Sequence, residues 1–275
     1  MKVYFIGIGG IGLSALARFL KHDGHEVCGS DMKRTPITKE LENEGIKVFS
    51  PQSASNISGD LDLVIYSAAV TDENPELIES RLKKIRTLSR KEALPIILDD
   101  KKNYCVAGAH GKSTTTAILA SILNSSALIG AISKDFGSNF RYVNNLVAFE
   151  ADESDASFLL SNPYCAIVTN AEPEHMEYYN YDESKFYKAY EKFSNLASKR
   201  VINAEDEHIN KINIDDENTI KLYPSRDIKN IEFILIDNQP HTRFELLDYG
   251  FVEVWGFGEH IELDASLAII AAWNE

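Results

Sequence analysis

Residues 108–114 read Gly-Ala-His-Gly-Lys-Ser-Thr, directly after the apolar run Tyr104–Ala107 and directly before a segment of helical periodicity. A glycine turn between a strand and a helix aims successive backbone N–H groups at one point. The positive end of the helix dipole adds to the field there, so the point cradles phosphate. Gly108, Ala109, His110, Gly111, Lys112, Ser113 and Thr114 are therefore expected to hold a nucleoside triphosphate. Lys112 supplies a cation for the outer phosphates, and the Ser113 hydroxyl a ligand for a phosphate-bound Mg2+. The spacing is two residues shorter than Gly-x-x-x-x-Gly-Lys-Ser, because Val106 stands where the first glycine would fall.

Two further groups of residues can serve the same chemistry. Glu150-Ala-Asp-Glu-Ser-Asp155 places four carboxylates within six residues at a strand end. Such charges repel one another unless a cation sits among them, and Glu153 is the first choice as metal ligand. Glu172-Pro-Glu-His-Met-Glu177 follows the strand Cys165–Asn170, beyond whose carboxyl end ligands of open α/β sheets collect. His175, flanked by carboxylates, is a candidate second metal ligand or proton-transfer group. Nearer the N-terminus, Gly7, Gly9 and Gly12 with Asp31 follow the dinucleotide-binding spacing. With a triphosphate site also present, the sequence calls for two nucleotide-like ligands, one per domain. A dehydrogenase would rest on the first glycine loop alone.

The elements that must position these residues alternate. Val3–Ile8 reads as a buried strand, Leu13–Lys21 as a helix, Glu26–Gly29 as a strand, and Pro36–Glu44 as a helix capped by Thr35. Leu61–Tyr66 is another strand. Asn74 caps a helix to about Lys84, and Lys91–Leu98 is a proline-interrupted one. This describes a Rossmann-like parallel-sheet α/β domain over residues 1–100, with Asp99–Asn103 as the linker. Residues 101–275 read as a second, P-loop α/β domain: the phosphate-loop strand, a helix through Leu123, and strands at Leu146–Glu150, Cys165–Asn170 and Lys199–Asn203. Asp182 caps a helix with the stripe Phe186, Tyr190, Phe193 and Ala197. Thr219–Val254 suggests two to four antiparallel strands, and Glu262–Trp273 a last helix.

Composition narrows the classes. A net charge of −14 argues against a nucleic-acid partner, which needs clustered Lys and Arg. The chain is 44% hydrophobic, and no segment approaches the roughly 20 apolar residues that cross a bilayer. Cys28, Cys105 and Cys165 lie far apart in apolar stretches, as buried free thiols in a reducing compartment do. A cytoplasmic protein with no membrane partner is expected.

Together these residues resemble the Mur ligases, the ATP-dependent amino-acid ligases of peptidoglycan synthesis. The resemblance rests on Gly7-Ile-Gly-Gly-Ile-Gly12, Gly29-Ser-Asp31, Ser67-Ala-Ala-Val70, Gly108–Thr114, Glu150–Ser157, Val168-Thr-Asn170 and His175-Met176, in register over the whole chain. It implies that the first domain holds UDP-N-acetylmuramate through Gly9, Gly10, Ile11, Gly12, Ser30, Asp31, Ser67, Ala68 and Ala69. It implies that the central domain binds ATP and Mg2+, and that L-alanine is joined to the sugar's carboxylate through an acyl phosphate. Lys112, Glu153 and His175 would be the catalytic set, with Ser113, Glu153 and His175 on the metals. Gly258-Glu-His260 and Asp264 line up with a signature that contacts adenine, although Ile261 and Asp264 replace its two asparagines.

Other departures are local. The family has threonine at Ala109 and Ser113, and carboxylates one methylene shorter at Glu174 and Glu177. Mur ligases also carry a C-terminal domain, and the chain, ending Trp273-Asn-Glu275, stops about where it would begin; little turnover is expected from these two domains alone. A murein-peptide recycling ligase and a degenerate, non-catalytic nucleotide-binding module are the alternatives.

Overall fold

The computed structural model describes residues 1–258 and 260–273. The chain divides into two compact units, Met1–Asp99 with Leu128–Tyr142, and Asp100–Ala127 with Val143–Glu275.

In the first unit the elements are β1 (Lys2–Ile6), α1 (Ile11–His22), β2 (Glu26–Ser30), α2 (Pro36–Asn43), β3 (Lys47–Phe49), β4 (Leu63–Tyr66), α3 (Pro75–Leu82), β5 (Arg86–Ser89) and α4 (Arg90–Ile97). The strands form a parallel sheet in the order β3-β2-β1-β4-β5. Helices cover a parallel sheet, so its inner strands are apolar throughout, and Val3–Ile6 and Leu63–Ile65 are buried accordingly. Thr35 and Asn74 cap α2 and α3 through their side chains, as their positions before Pro36 and Pro75 predict. Sequence reading misses β3 and β5, and both are sheet edges. Lys47-Val-Phe and Arg86-Thr-Leu-Ser are buried on too little of their surface to need an apolar run.

Residues 128–142, which a boundary near residue 100 leaves in the second domain, cluster with the first unit. Arg18, 4% exposed on α1, donates to Asn139 Oδ1 at 2.9 Å, and Tyr142 OH donates to Asp23 Oδ1 at 3.0 Å. The Phe19 and Tyr142 rings meet edge-on at 5.5 Å.

The remaining elements are β6 (Lys102–Ala107), α5 (Lys112–Ile122), β7 (Ser126–Ser133), β8 (Ser138–Arg141), β9 (Leu146–Glu150), β10 (Pro163–Val168), α6 (Glu183–Leu196), β11 (Lys199–Asn203), β12 (Thr219–Leu222), α7 (Pro224–Asp227), β13 (Ile228–Ile236), β14 (Gln239–Leu246), β15 (Gly250–Trp255) and α8 (Ile261–Trp273). They build a seven-stranded sheet, β12-β11-β10-β6-β9-β7-β8, and an antiparallel sheet, β13-β14-β15. The mixed α/β class with a small antiparallel sheet is as the sequence implies. β12, expected among the antiparallel strands, instead pairs parallel with β11. The expected linker is also shorter, since β6 starts at Lys102.

Asp182 caps α6, whose Phe186, Tyr190 and Phe193 are fully buried; Tyr190 meets Phe158 edge-on at 5.2 Å and Phe193 stacks on it at 4.8 Å. α8 is apolar around most of its circumference and packs on α5, which follows the phosphate loop. No helix of the described residues is long and apolar enough to cross a membrane.

Candidate active site

The phosphate loop joins the end of β6 to the start of α5. Two of its glycines have no room for a side chain. At Gly108, φ +150°, a Cβ would lie 2.0 Å from Thr169 Oγ1; at Gly111, φ +81°, it would lie 2.2 Å from Asp264 Oδ1. Both conformations and both contacts exclude other residues. Gly111→Ala is therefore expected to destabilise the chain by about 2–4 kcal/mol, read as a lower urea midpoint; an unchanged midpoint would remove the steric argument.

The loop is braced from β10, the neighbour of β6 in the sheet. The His110 N–H donates to Asn170 Oδ1 at 3.1 Å. The His110 carbonyl accepts from Thr169 Oγ1 at 2.6 Å and from Asn170 Nδ2 at 3.0 Å. Thr169 and Asn170 belong to the Val168-Thr-Asn170 stretch of the family resemblance, but no residue type in it announces a role at the loop. Their signal is positional: they follow the last residue of the strand beside the loop strand, where ligands gather in open α/β sheets.

Lys112 Nζ lies 2.9 Å from Glu153 Oε1 and also donates to the Gly108 carbonyl. Glu153 is 3% exposed, and among the described residues its Oε2 has no hydrogen-bond partner. Burial pushes its carboxyl upward, and the Lys112 ammonium works against that shift. Ser113 Oγ donates to Glu150 Oε2 at 2.8 Å. Tyr179, itself buried, donates its hydroxyl to the Glu153 carbonyl at 2.6 Å. Lys112, Ser113, Glu150 and Glu153 are thus gathered on one side of the loop. A buried carboxylate oxygen with no partner, beside a serine hydroxyl and a second carboxylate, is a donor set that suits Mg2+.

The other expected residues fall differently. His175 is exposed at φ +50°, and among the described residues no hydrogen bond or ion pair joins it to Lys112, Ser113 or Glu153. Its neighbours Glu172 and Glu174 instead face His110, with oxygens 3.7 and 3.6 Å from Nε2. Ala109 is half-buried in the loop and Thr114 in the first turn of α5, and His260 is exposed just before α8. Glu259 of the adenine signature, like Asn274 and Glu275, lies outside the described residues. Asp264, expected at an adenine, lies beneath the loop. It is 4% exposed, and its carboxyl is turned under Gly111 because α8 packs on α5. Burial is the main cause that pushes this carboxyl up to about 7.

The first unit has its own cleft, of about 580 Å³, beyond the carboxyl ends of β1, β2 and β4. Gly7, Gly10, Asp31, Ser67 and Ala69 line it, with Pro51, Gln52 and Asn74 on another wall. Gly9 donates its N–H to Asp31 Oδ2 at 2.9 Å, and a Cβ there would strike that carboxyl at 2.8 Å. Gly12 lies against Arg90, where a Cβ would lie 3.1 Å from Nε. Ile11 and Ala68 are exposed and, like Gly9 and Gly12, are not among the lining residues. Ser30, expected to touch a ligand, is completely buried. Its hydroxyl donates to Glu76.

Residues 2–102 match the family model described as Mur ligase family, catalytic domain, and residues 106–256 match Mur ligase middle domain. UDP-N-acetylmuramate--L-alanine ligase of Campylobacter curvus is 55% identical over 275 residues, and that of Helicobacter pylori strain P12 is 46% identical over 276 residues. The matches cover 100% of this chain in both cases, against 62% and 60% of those proteins, so the chain spans about three-fifths of their length. The crystal structure of UDP-N-acetylmuramate-alanine ligase from Thermotoga maritima superposes with a TM-score of 0.85 at 30% identity, over 98% of this chain and 64% of that one. With both of its units matched in this way, the chain belongs to the Mur ligase family.

Proposed function

We propose that the chain is the sugar-nucleotide- and ATP-binding part of an ATP-dependent ligase that joins L-alanine to the carboxylate of UDP-N-acetylmuramate in peptidoglycan precursor synthesis. The observation that carries this reading is the Lys112–Glu153 pair at the phosphate loop, in which a buried carboxylate keeps one oxygen without a partner. ATP phosphates would draw the Lys112 ammonium, and a divalent cation would take its place beside Glu153. Relatives named for this activity, at 55% identity, support the choice of substrates.

In this reading the sugar carboxylate attacks the γ-phosphorus of ATP, the bond to the β–γ bridging oxygen breaks, and ADP leaves an acyl phosphate. The amine of alanine then attacks the carbonyl carbon. The tetrahedral intermediate expels inorganic phosphate, which carries away the proton that the new amide nitrogen gives up. Little covalent work falls to the protein, because phosphoryl transfer depends mainly on position and charge neutralisation. The loop amides cradle phosphate, and Lys112 offsets charge on the outer oxygens. Ser113 and Glu153 would hold a Mg2+ that neutralises the β- and γ-phosphates, and His175 is assigned to a second ion by resemblance alone. The first-unit cleft takes the UDP portion through Gly10, Asp31, Ser67 and Ala69, which removes any need for a dinucleotide.

Calorimetric titration with UDP-N-acetylmuramate is expected to give a roughly micromolar Kd, with no heat from NADH. Binding of NADH, or of neither ligand, would overturn the reading of the first unit.

A further inference from the structure

Glu76 has no exposed surface, stands in the first turn of α3 and accepts four hydrogen bonds. Tyr4 OH donates to Oε1 at 3.0 Å, the Ser53 N–H at 3.1 Å and Asn56 Nδ2 at 2.8 Å, while Ser30 Oγ donates to Oε2. Burial above all pushes the Tyr4 phenol well above its ordinary range, so it remains a donor. None of the four partners is a cation. A buried carboxylate is normally paired or given several donors, and here the donors come from three separate segments.

Each of those segments reaches the cleft. Asn56 Nδ2 also donates to the Pro51 carbonyl at 3.2 Å, and Ser53 is next to Gln52, so Glu76 pins the 51–56 wall. Pro51 and Gln52 line the cleft, and Gln52 Oε1 accepts from Asn74 Nδ2 at 2.8 Å. On the opposite side the Ser30 carbonyl accepts from the N–H groups of Gly7 and Ile8, at 2.8 and 2.9 Å. The next residue, Asp31, holds the Gly9 N–H. A single side chain therefore ties the glycine loop to the facing wall, though it does not itself line the cleft.

We infer that Glu76 is a positioning residue for the sugar-nucleotide cleft: through Ser30 it sets the glycine loop, and through Ser53 and Asn56 it sets the wall opposite. This rests on the ligand proposed above. Its chemical demand is simple, since a pyrophosphate needs the loop amides at a fixed spacing from the groups that hold the base and sugar.

The test uses the whole chain. Glu76→Ala strands four donors and is liable to misfold, so Asn56→Ala and Ser30→Ala each cut one tie while leaving every lining residue in place. Each is expected to raise the Kd for UDP-N-acetylmuramate about tenfold with a small fall in Tm, and to leave ATP affinity at the phosphate loop unchanged. Glu76→Gln keeps an acceptor for the three Oε1 donors and offers Ser30 a donor in place of an acceptor. It should restore affinity to within about threefold of the parent. Tm falling with no change in Kd in either single-tie variant would make Glu76 merely structural and overturn the inference. Amide exchange provides a readout that needs no ligand. Ser30→Ala should speed exchange at Gly7 and Ile8, and Asn56→Ala at Ser53, about tenfold more than in β5. Uniform acceleration would overturn the positioning role even if the unsubstituted chain failed to bind the sugar nucleotide, a result that would count separately against the proposed ligand.

Discussion

On the proposed function, Lys112→Ala is expected to lower ligase turnover by at least about a hundredfold, the scale of losing one preorganised charge at a phosphoryl group. The same substitution leaves Glu153, 3% exposed, without the Lys112 ammonium that pairs with it. An unpaired buried carboxylate costs about 3 kcal/mol, so the variant should also melt earlier. The two losses are separable. Glu153 is already pushed toward the protonated form by burial, and removing Lys112 pushes it further. A carboxyl whose folded pKa is raised contributes stability at low pH that is lost as pH rises, so the melting defect should be larger at pH 8 than at pH 5. Adding Glu153→Gln should recover most of the stability and none of the turnover. Steady-state rates and urea midpoints on the parent and the two variants check this. A double variant that regains activity, or a single variant with the parent's rate, would remove Lys112 from the phosphate site.

Asp264→Asn is expected to stabilise the chain at pH 8 and to flatten its pH dependence. The Asp264 carboxyl, ordinarily near 3.8, is pushed up to about 7, chiefly by burial; Thr115 lowers it and the charge of Glu262 raises it. The folded state therefore holds a proton that the unfolded chain has released. This contribution is fully present below about pH 4 and lost as pH rises through about 7. The interval corresponds to at most about 4 kcal/mol, and relaxation around the charge should reduce it to about 2. Asparagine has the same shape and stays neutral. The difference in urea midpoint between parent and variant should grow from pH 5 to about pH 7 and level off by pH 8. Glu153 titrates in the same direction but is present in both proteins, so the difference isolates Asp264. Parallel curves would mean that the carboxyl is solvated and that its place under Gly111 is wrong. A negative charge beneath the phosphate loop also opposes anion binding, so the variant should bind ATP at least as tightly as the parent at pH 8.

Much of the scaffold was legible because its signals are local. Val3–Ile6 and Leu63–Ile65 are apolar because an inner parallel strand is covered on both faces. Thr35, Asn74 and Asp182 cap helices through their own side chains, so the residues beside them suffice to place those starts. The edge strands β3 and β5 carry no such pattern. Nor is there any local sign that residues 128–142 cluster with the first unit, since that depends on Asn139 meeting Arg18, 121 residues away.

The division is the same at the candidate site. The candidate phosphate loop, its lysine and a carboxylate suited to a metal are legible in the sequence alone. A glycine turn between strand and helix has one use for a lysine and a serine at that spacing. Which other side chains support it was decided only by the tertiary structure. Thr169 and Asn170 brace the loop because β10 happens to lie beside β6. Asp264 is drawn under Gly111 by the packing of α8 on α5. Glu76 and Tyr4, 72 residues apart, meet only after the first sheet has formed. Residue type and spacing record what a backbone segment can do by itself, whereas hydrogen bonds between distant segments depend on the register in which those segments pack.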